Sequence, residues 1–339
     1  MKNKISEIML KKIINSADTL LIESINGFGR ANFSLIDVHE NPLYINRKDA
    51  PLHGKVALVS GGGSGHEPLH IGYVGYGMLH AACPGEIFSS PTPDQILAAV
   101  KKVDGGAGVL FIIKNYDGDR MNFEIASELL DIEHSTLIVC DEALPPDLDQ
   151  TIIRRGLAGT VIIEKIVGAA AQAGADLYSC KQLGKRVNRV TRTMGMALTG
   201  CRIPAASKST FNLADNEVEM GVGIHGEPGR KRIRQMRADD LVHELIEAIC
   251  IDLPIHPGVP VLLHVNGFGG TPLIELHVVY QAAFNLLEKR GLLIARSFVG
   301  NYTTSLEMKG CSITVTIFDD ELLHLWDAPV HTASLCWGY

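Results

Sequence analysis

Two histidines in this chain are set among glycines, where the lack of side chains lets a ligand come close to an imidazole. One lies in Gly221-Val-Gly-Ile-His225-Gly-Glu-Pro-Gly229, the other in Ser60-Gly-Gly-Gly-Ser-Gly-His66-Glu-Pro68, and a Glu-Pro pair follows both. An imidazole titrating at about 6.5 suits proton transfer near neutral pH, so His66 is a candidate general base. His225 is open to the same role and to a nucleophilic one, since a neutral imidazole can add to a carbonyl carbon and give a carbinolamine-type adduct. A metal site would need partner ligands at helical or knuckle spacing; none is local, and no metal is expected. The pattern does not choose between base and nucleophile. In either role the pair suggests a small polar molecule as ligand.

The run Gly61 to Gly65 looks like a phosphate cradle, but its details disagree. A P-loop requires a lysine after its last glycine, and the dinucleotide fingerprint fails because His66 occupies the third glycine position. Bare N–H groups there are still able to receive a hydroxyl or a phosphate. Lys114-Asn-Tyr-Asp-Gly-Asp119 adds a cation and two carboxylates at the end of an apolar run. Lys114 is a donor to a ligand hydroxyl or an exposed strand-end lysine, and Asp119 a proton acceptor or a helix cap. His70, His80, His264, His277 and His324 lie in apolar segments without polar clustering and read as structural.

The elements around these residues alternate. Lys55 to Ser60 predicts a strand running into the glycine loop, with a glycine-interrupted helix over Glu67 to Tyr76. A helix over Gln95 to Val103 follows, capped from Pro91-Thr-Pro-Asp94. Then come a strand to Lys114, a helix from Met121 to Leu130 and a strand from Ser135 to Cys140. Continuous apolar strands between helices imply a parallel or mostly parallel sheet. Helices near 160–173 and 175–190 precede a strand at 193–198. Beyond the His225 loop, helices over 238–249 and 272–290 alternate with strands at 260–265, 292–297 and 312–318. The expected fold is α/β, with two α/β domains of mostly parallel or mixed sheets, residues 1–190 and 191–339. Ligands of open α/β sheets sit beyond the carboxyl ends of strands. Gly61 to His66, Asn115 to Asp119 and the segment after Cys140 all meet that condition.

Bulk properties narrow the class. A net charge of −7 and a pI of about 6.0 exclude the broad basic face of a nucleic-acid binder. The richest basic run, Arg230 to Arg234, is short and reads as a solvated face. Seven scattered cysteines, never spaced C-x-x-C, fit reduced thiols. No run approaches a membrane span and no apolar leader opens the chain, so a cytoplasmic protein is expected.

Five strings carry a resemblance: Ser60-Gly-Gly-Gly-Ser-Gly-His66-Glu-Pro68, Pro84-Gly-Glu-Ile-Phe-Ser-Ser-Pro-Thr-Pro-Asp94, Lys114-Asn-Tyr-Asp-Gly-Asp119, Asp215 to Gly229, and Trp326-Asp-Ala-Pro-Val330. In order along nearly the whole chain, they resemble the dihydroxyacetone-binding subunits of dihydroxyacetone kinases. The resemblance implies that His225 binds the ketone covalently as a hemiaminal, and that His66 and Asp119 assist proton transfer at the substrate hydroxyl. It also implies that Gly63 and Lys114 hydrogen-bond the substrate, and that the protein is a homodimer. No cofactor is expected on this chain: in the family, nucleotide and Mg belong to a helical partner, either fused or separate. A chain reaching only Tyr339 points to the stand-alone, phosphotransferase-system type. The sequence departs from the family around Asp141 to Arg155, where Pro145-Pro146 enters, and at Ser207 to Ser209. These departures bear on docking of the nucleotide-bearing partner. They keep open a second reading, a ketone-sensing paralogue that co-activates a TetR-like transcription regulator.

Overall fold

The computed structural model describes residues 11–144, 153–206 and 209–339. The substitutions around Pro145 and at Ser207–Lys208 lie outside the described residues. The first half runs α1 (Leu20–Ala31), β1 (Ile36–Glu40), β2 (Leu43–Arg47), β3 (Ala57–Ser64), β4 (Gly75–Tyr76), β5 (Ala81–Ile87), α2 (Pro93–Val103), β6 (Val109–Lys114), α3 (Asp117–Glu128), β7 (His134–Val139), α4 (Gly159–Ala173) and α5 (Leu177–Arg189). The second runs β8 (Thr191–Ala197), β9 (Glu217–Met220), β10 (Lys231–Arg234), α6 (Ala238–Asp252), β11 (Pro260–Gly267), α7 (Leu273–Lys289), β12 (Leu293–Gly300), β13 (Gly310–Ile317), α8 (Asp320–Asp327), β14 (Val330–Thr332) and β15 (Cys336–Trp337).

The first sheet has the order β1-β2-β5-β3-β6-β7. Its β5, β3, β6 and β7 are parallel, and an antiparallel β1–β2 pair forms the edge beside β5. The second has the order β10-β9-β8-β13-β11-β12 and is antiparallel except for the β11–β12 pair. The architecture is α/β with mixed sheets. Its second half is less parallel than strand–helix alternation alone suggests, because β13 enters between β11 and β8.

Helices α2 and α3 cover one face of the first sheet, and α4 and α5 the other. The second sheet turns one face to α6 and α7 and the other to the α4–α5 layer. Helix α4 therefore lies between two sheets, and every residue from Gly159 to Ala171 is buried. After Ile317 the chain returns to the first half. Leu322, Trp326, Val330 and Leu335 join the core that holds Tyr73, Val74 and Ile166. There β14 pairs with both β15 and β4 in a third, three-stranded sheet.

Two local expectations are corrected. The glycine run is strand, not loop: β3 continues through Gly61–Ser64, paired with Cys83–Ile87 of β5. No helix spans Glu67 to Tyr76, where only a single 3₁₀ turn, Ile71–Tyr73, forms. Gly75 within that span takes a positive φ of 154° and Gly77 just beyond it one of 75°, which a right-handed helix does not admit. Among the described residues no helix is long and apolar enough to cross a membrane.

Candidate functional site

The β3–β6 ladder ends at Ser60 opposite Ile112, although β3 itself runs on to Ser64. Beyond that point Gly61–Ser64 is laddered only on its β5 side, and the sheet opens at the carboxyl ends of its strands. This is also where connections diverge: β3 leads to β5 on one side, and β5 leads through α2 to β6 on the other. Open α/β sheets bind ligands at such a switch point.

Three elements converge on the opening. Strand β6 ends in Lys114, which is fully buried, so the exposed strand-end reading is excluded. Its Nζ lies 2.8 Å from His70 Nε2 and 3.6 Å from Asp119 Oδ2. Asp119 sits in the first turn of α3, where the helix dipole favours a carboxylate, and its Oδ2 has no hydrogen-bond partner among the described residues. Strand β3 passes directly over the lysine. A Cβ on Gly62 would fall on Lys114 Nζ, so a side chain at this crossing would displace the amino group from its place beside His70 and Asp119. Gly63 packs as closely on the backbone of Phe88 and Ser89, where a Cβ would lie 2.6 Å from Ser89 N.

His66 follows β3 and is 1% exposed. Its Nδ1–H donates to the Thr304 carbonyl at 2.8 Å, which leaves on Nε2 a lone pair with no partner among the described residues. Thr304 N donates back to the His66 carbonyl and Leu306 N to that of Gly65, so the loop after β12 holds this histidine in place. Burial, with Lys114 nearby, lowers the His66 pKa to about 3. His66 is a neutral imidazole at physiological pH.

His225 comes from the β9–β10 loop of the second sheet. The His66 and His225 rings meet edge to face, with centroids 4.6 Å apart. Tyr116 and Phe88 lie 4.3 and 5.7 Å from the His225 ring. Desolvation, then His66, Lys114 and Arg155, hold its pKa well below the usual imidazole value. The loop is clamped by charge. His225 N–H donates to Glu227 at 2.9 Å, Glu227 pairs with Arg155 at 3.0 Å, and Arg155 also binds Glu142 and the Gly221 carbonyl. A Cβ at Gly223 would overlap the Glu227 carboxylate and crowd Arg155, so a side chain there would displace the clamp on this loop. In the first motif Glu67 likewise receives Gly65 N–H, at 3.0 Å. Glu-Pro after each histidine thus serves to fold the histidine's own loop.

A cleft of about 630 Å³ opens onto this arrangement, lined by Phe88, Tyr116, Asp119, Arg155, His225 and Glu227 among others. Asp119 and His225 face it; His66, Lys114 and Gly63 lie one layer behind. All five sequence candidates fall in one patch built from both halves of the chain. The geometry provides neutral imidazoles, an amino donor and a carboxylate around a partly apolar opening. Those groups are able to bind a small hydroxylated molecule and to move its protons.

A family model described as the Dak1 domain matches residues 26–334. The chain belongs to the Dak1 domain family. It is 47% identical to the PEP-dependent dihydroxyacetone kinase, dihydroxyacetone-binding subunit DhaK, of Escherichia coli K12, with 97% of this chain and 100% of the relative covered. A Listeria innocua protein named as a PTS-dependent DhaK subunit is 45% identical, covering 92% of this chain and 95% of the relative. Among solved structures, a protein described as the dihydroxyacetone kinase operon co-activator DhaQ superposes with a TM-score of 0.87 at 32% identity, over 92% of this chain and 97% of the other.

Sequence reading of this Dak1 chain missed three groups that shape the site. His70, read as structural without polar clustering, touches Lys114, Ser60 and Glu164. Glu164 is fully buried on α4. A Glu–Lys pair inside an otherwise apolar helical run, Val161-Ile-Ile-Glu-Lys-Ile166, was the available signal, because burying charged groups without purpose is costly. Arg155 carried no signal of its own, since its partners Glu142 and Glu227 are distant in sequence. Of the basic run, β10 is mostly exposed and Arg232 pairs with Glu217 and Glu219 on the neighbouring strand, whereas Arg230 is not solvated but pairs with the buried Glu142 at 2.9 Å.

Proposed function

We propose that this chain is the dihydroxyacetone-binding subunit of a phosphotransferase-system-dependent dihydroxyacetone kinase. The observation that carries the reading is the pair of neutral imidazoles, one facing an open cleft and one behind it with a free lone pair, beside Lys114 and Asp119. In this reading a His225 ring nitrogen adds to the carbonyl carbon as the C=O π bond opens onto oxygen. The ring N–H proton leaves, and one proton arrives at that oxygen, so the hemiaminal is protein plus ketone with no water lost. Glycerol, which has no electrophilic carbon, is not captured. Gly63 and Lys114 hydrogen-bond the captured substrate. His66, sharing the task with Asp119, then takes the proton of the primary hydroxyl as phosphate arrives. The nucleotide and its Mg are carried by a separate helical subunit, consistent with a glycine run that lacks the P-loop lysine. A homodimer in the cytoplasm completes the reading.

A second reading draws on the 0.87 TM-score to the operon co-activator. In it the chain captures the ketone and binds a transcription regulator instead of a nucleotide-bearing subunit. The 47% identity to a kinase subunit favours the first reading.

Native mass spectrometry with dihydroxyacetone tests capture: wild type gains the full ketone mass and His225→Ala gains none. An adduct surviving in that variant rules out His225 as the attachment point. Mixing the protein with a nucleotide-loaded helical subunit tests transfer. Turnover is expected, slowed about 10²- to 10⁴-fold by His66→Ala. Capture without turnover would favour the sensing role.

A further inference from the structure

Helix α4 is buried between two sheets and yet carries two adjacent ionisable residues, Glu164 and Lys165. Lys165 donates to the Leu325 carbonyl at 2.8 Å and so anchors the returning α8 segment. Glu164 points the other way, to His70, with Oε1 2.6 Å from Nδ1. Its second oxygen has no partner among the described residues. A carboxyl so placed is costly, and the stability of the helix does not require it. Its contact with His70 leads to the cleft.

The hydrogen bonds determine the tautomer of His70. Ser60 Oγ lies 2.6 Å from the Ile112 carbonyl, which can only accept, so the single hydroxyl proton is used there. Towards His70 Nδ1, 2.9 Å away, Ser60 Oγ is left as an acceptor. Nδ1 therefore carries the ring proton and shares it between Ser60 and Glu164 Oε1. Nε2 keeps its lone pair, and the group facing it at 2.8 Å is the Lys114 amino group, a donor. Burial raises the Glu164 pKa to about 8 and lowers that of His70 well below the usual value. Either form of Glu164 is compatible with the network, because the acid proton has the unpartnered Oε2 to occupy.

We propose that His70, oriented by Ser60 and Glu164, is a positioning residue for Lys114. Its Nε2 lone pair holds the Lys114 amino group beneath Gly62 and beside Asp119, and so determines where the substrate hydroxyl is received. The arrangement matches a carboxylate–histidine pair behind a metal ligand, with an amino group in place of the metal. The proposal rests on the kinase-subunit reading for its substrate, but not for the contact itself. Without the imidazole, Lys114 would have Asp119, at 3.6 Å, as its nearest charged neighbour and would swing towards it. Displacements of about 1 Å in a positioning group cost up to about 10²-fold in rate.

The contact is tested first in ligand-free protein by ¹⁵N NMR of the histidine rings. His70 is expected with Nδ1 protonated and Nε2 as the bare, hydrogen-bond-accepting nitrogen. The opposite tautomer in wild type would overturn the proposal, because Nε2–H cannot accept from Lys114. The role is tested next with His70→Leu and His70→Gln, assayed with dihydroxyacetone and the nucleotide-loaded subunit. His70→Leu should lower kcat/KM about 10- to 100-fold, and His70→Gln, whose amide oxygen is an acceptor, should recover most of the loss. Equal losses in both variants, tracking their melting temperatures, would mark His70 as merely structural. A wild-type protein that takes up no ketone would remove the functional reading, and the NMR result would still decide the Lys114 contact.

Discussion

Neutrality is the property that the site's imidazoles share. A ring that adds to a carbonyl or takes a proton needs a free lone pair, and protonation removes it. An ordinary imidazole is about three-quarters protonated at pH 6.0. His66, lowered to about 3 by burial, and His225, held well below its usual value by desolvation and neighbouring charges, are not. Ketone capture should therefore be unchanged between pH 7.5 and pH 6.0, with occupancy read by native mass spectrometry. A loss of occupancy with a midpoint near 6.5 would mean that the capturing imidazole is solvated. Asp119 complements this pair: it is 2% exposed, at the start of a helix, with an oxygen that has no hydrogen-bond partner among the described residues.

At the scale of elements, close approach sets what the sequence tolerates. Helix α4 meets the turn before β5 at Gly168, where a Cβ would lie 2.5 Å from Met78 Cα and 2.6 Å from the Gly77 carbonyl oxygen. Both are backbone atoms and neither can swing aside. Gly168→Ala should cost about 1–3 kcal/mol, seen as a lower denaturant midpoint; an unchanged midpoint would show that α4 shifts freely. Such positions were only partly legible in the sequence. The strands β3, β6, β7 and β11 and the helices α2 to α7 announced themselves by apolar runs, caps and periodicity. By contrast, β1 and β2 carry Asp37, His39, Asn46 and Arg47, and β5 reads Ala-Ala-Cys-Pro-Gly-Glu-Ile, so neither showed a strand pattern. The glycines of β3 argued for a loop, whereas pairing with β5 keeps them extended. In the site, residues in distinctive strings were found. His70 and Glu164 were not, because their meaning lies in a contact across 94 residues of chain.

Across the whole molecule, buried histidines make the fold sensitive to acid. His66 and His80 are lowered to about 3 and His264 to about 4, in each case mainly by desolvation. Below about pH 6.5 the unfolded chain takes up protons that these folded rings refuse, so each costs about 1.4 kcal/mol per pH unit until its folded value is reached. Glu164, raised to about 8, works in the opposite direction between its folded and unfolded values. These three rings and Glu164 together should lower the unfolding free energy by about 3 kcal/mol between pH 6.5 and pH 5, and His70 and His225, lowered in the same sense, deepen the fall. Urea titrations at the two pH values measure it, and a flat profile would mean that these rings are hydrated. The third sheet has a different kind of consequence. Strand β4 waits for β14, more than 250 positions later, and the first core for Leu322, Trp326 and Val330. On the ribosome, at about 5–20 residues per second, the opening half of the chain must remain incomplete for roughly ten seconds or longer after its own strands have emerged. A fragment cut after residue 190 should therefore be captured by chaperones and fail to melt cooperatively, and adding residues 318–339 in trans should not restore it without the second sheet to deliver them. The order of synthesis and the order of folding should therefore differ in this protein.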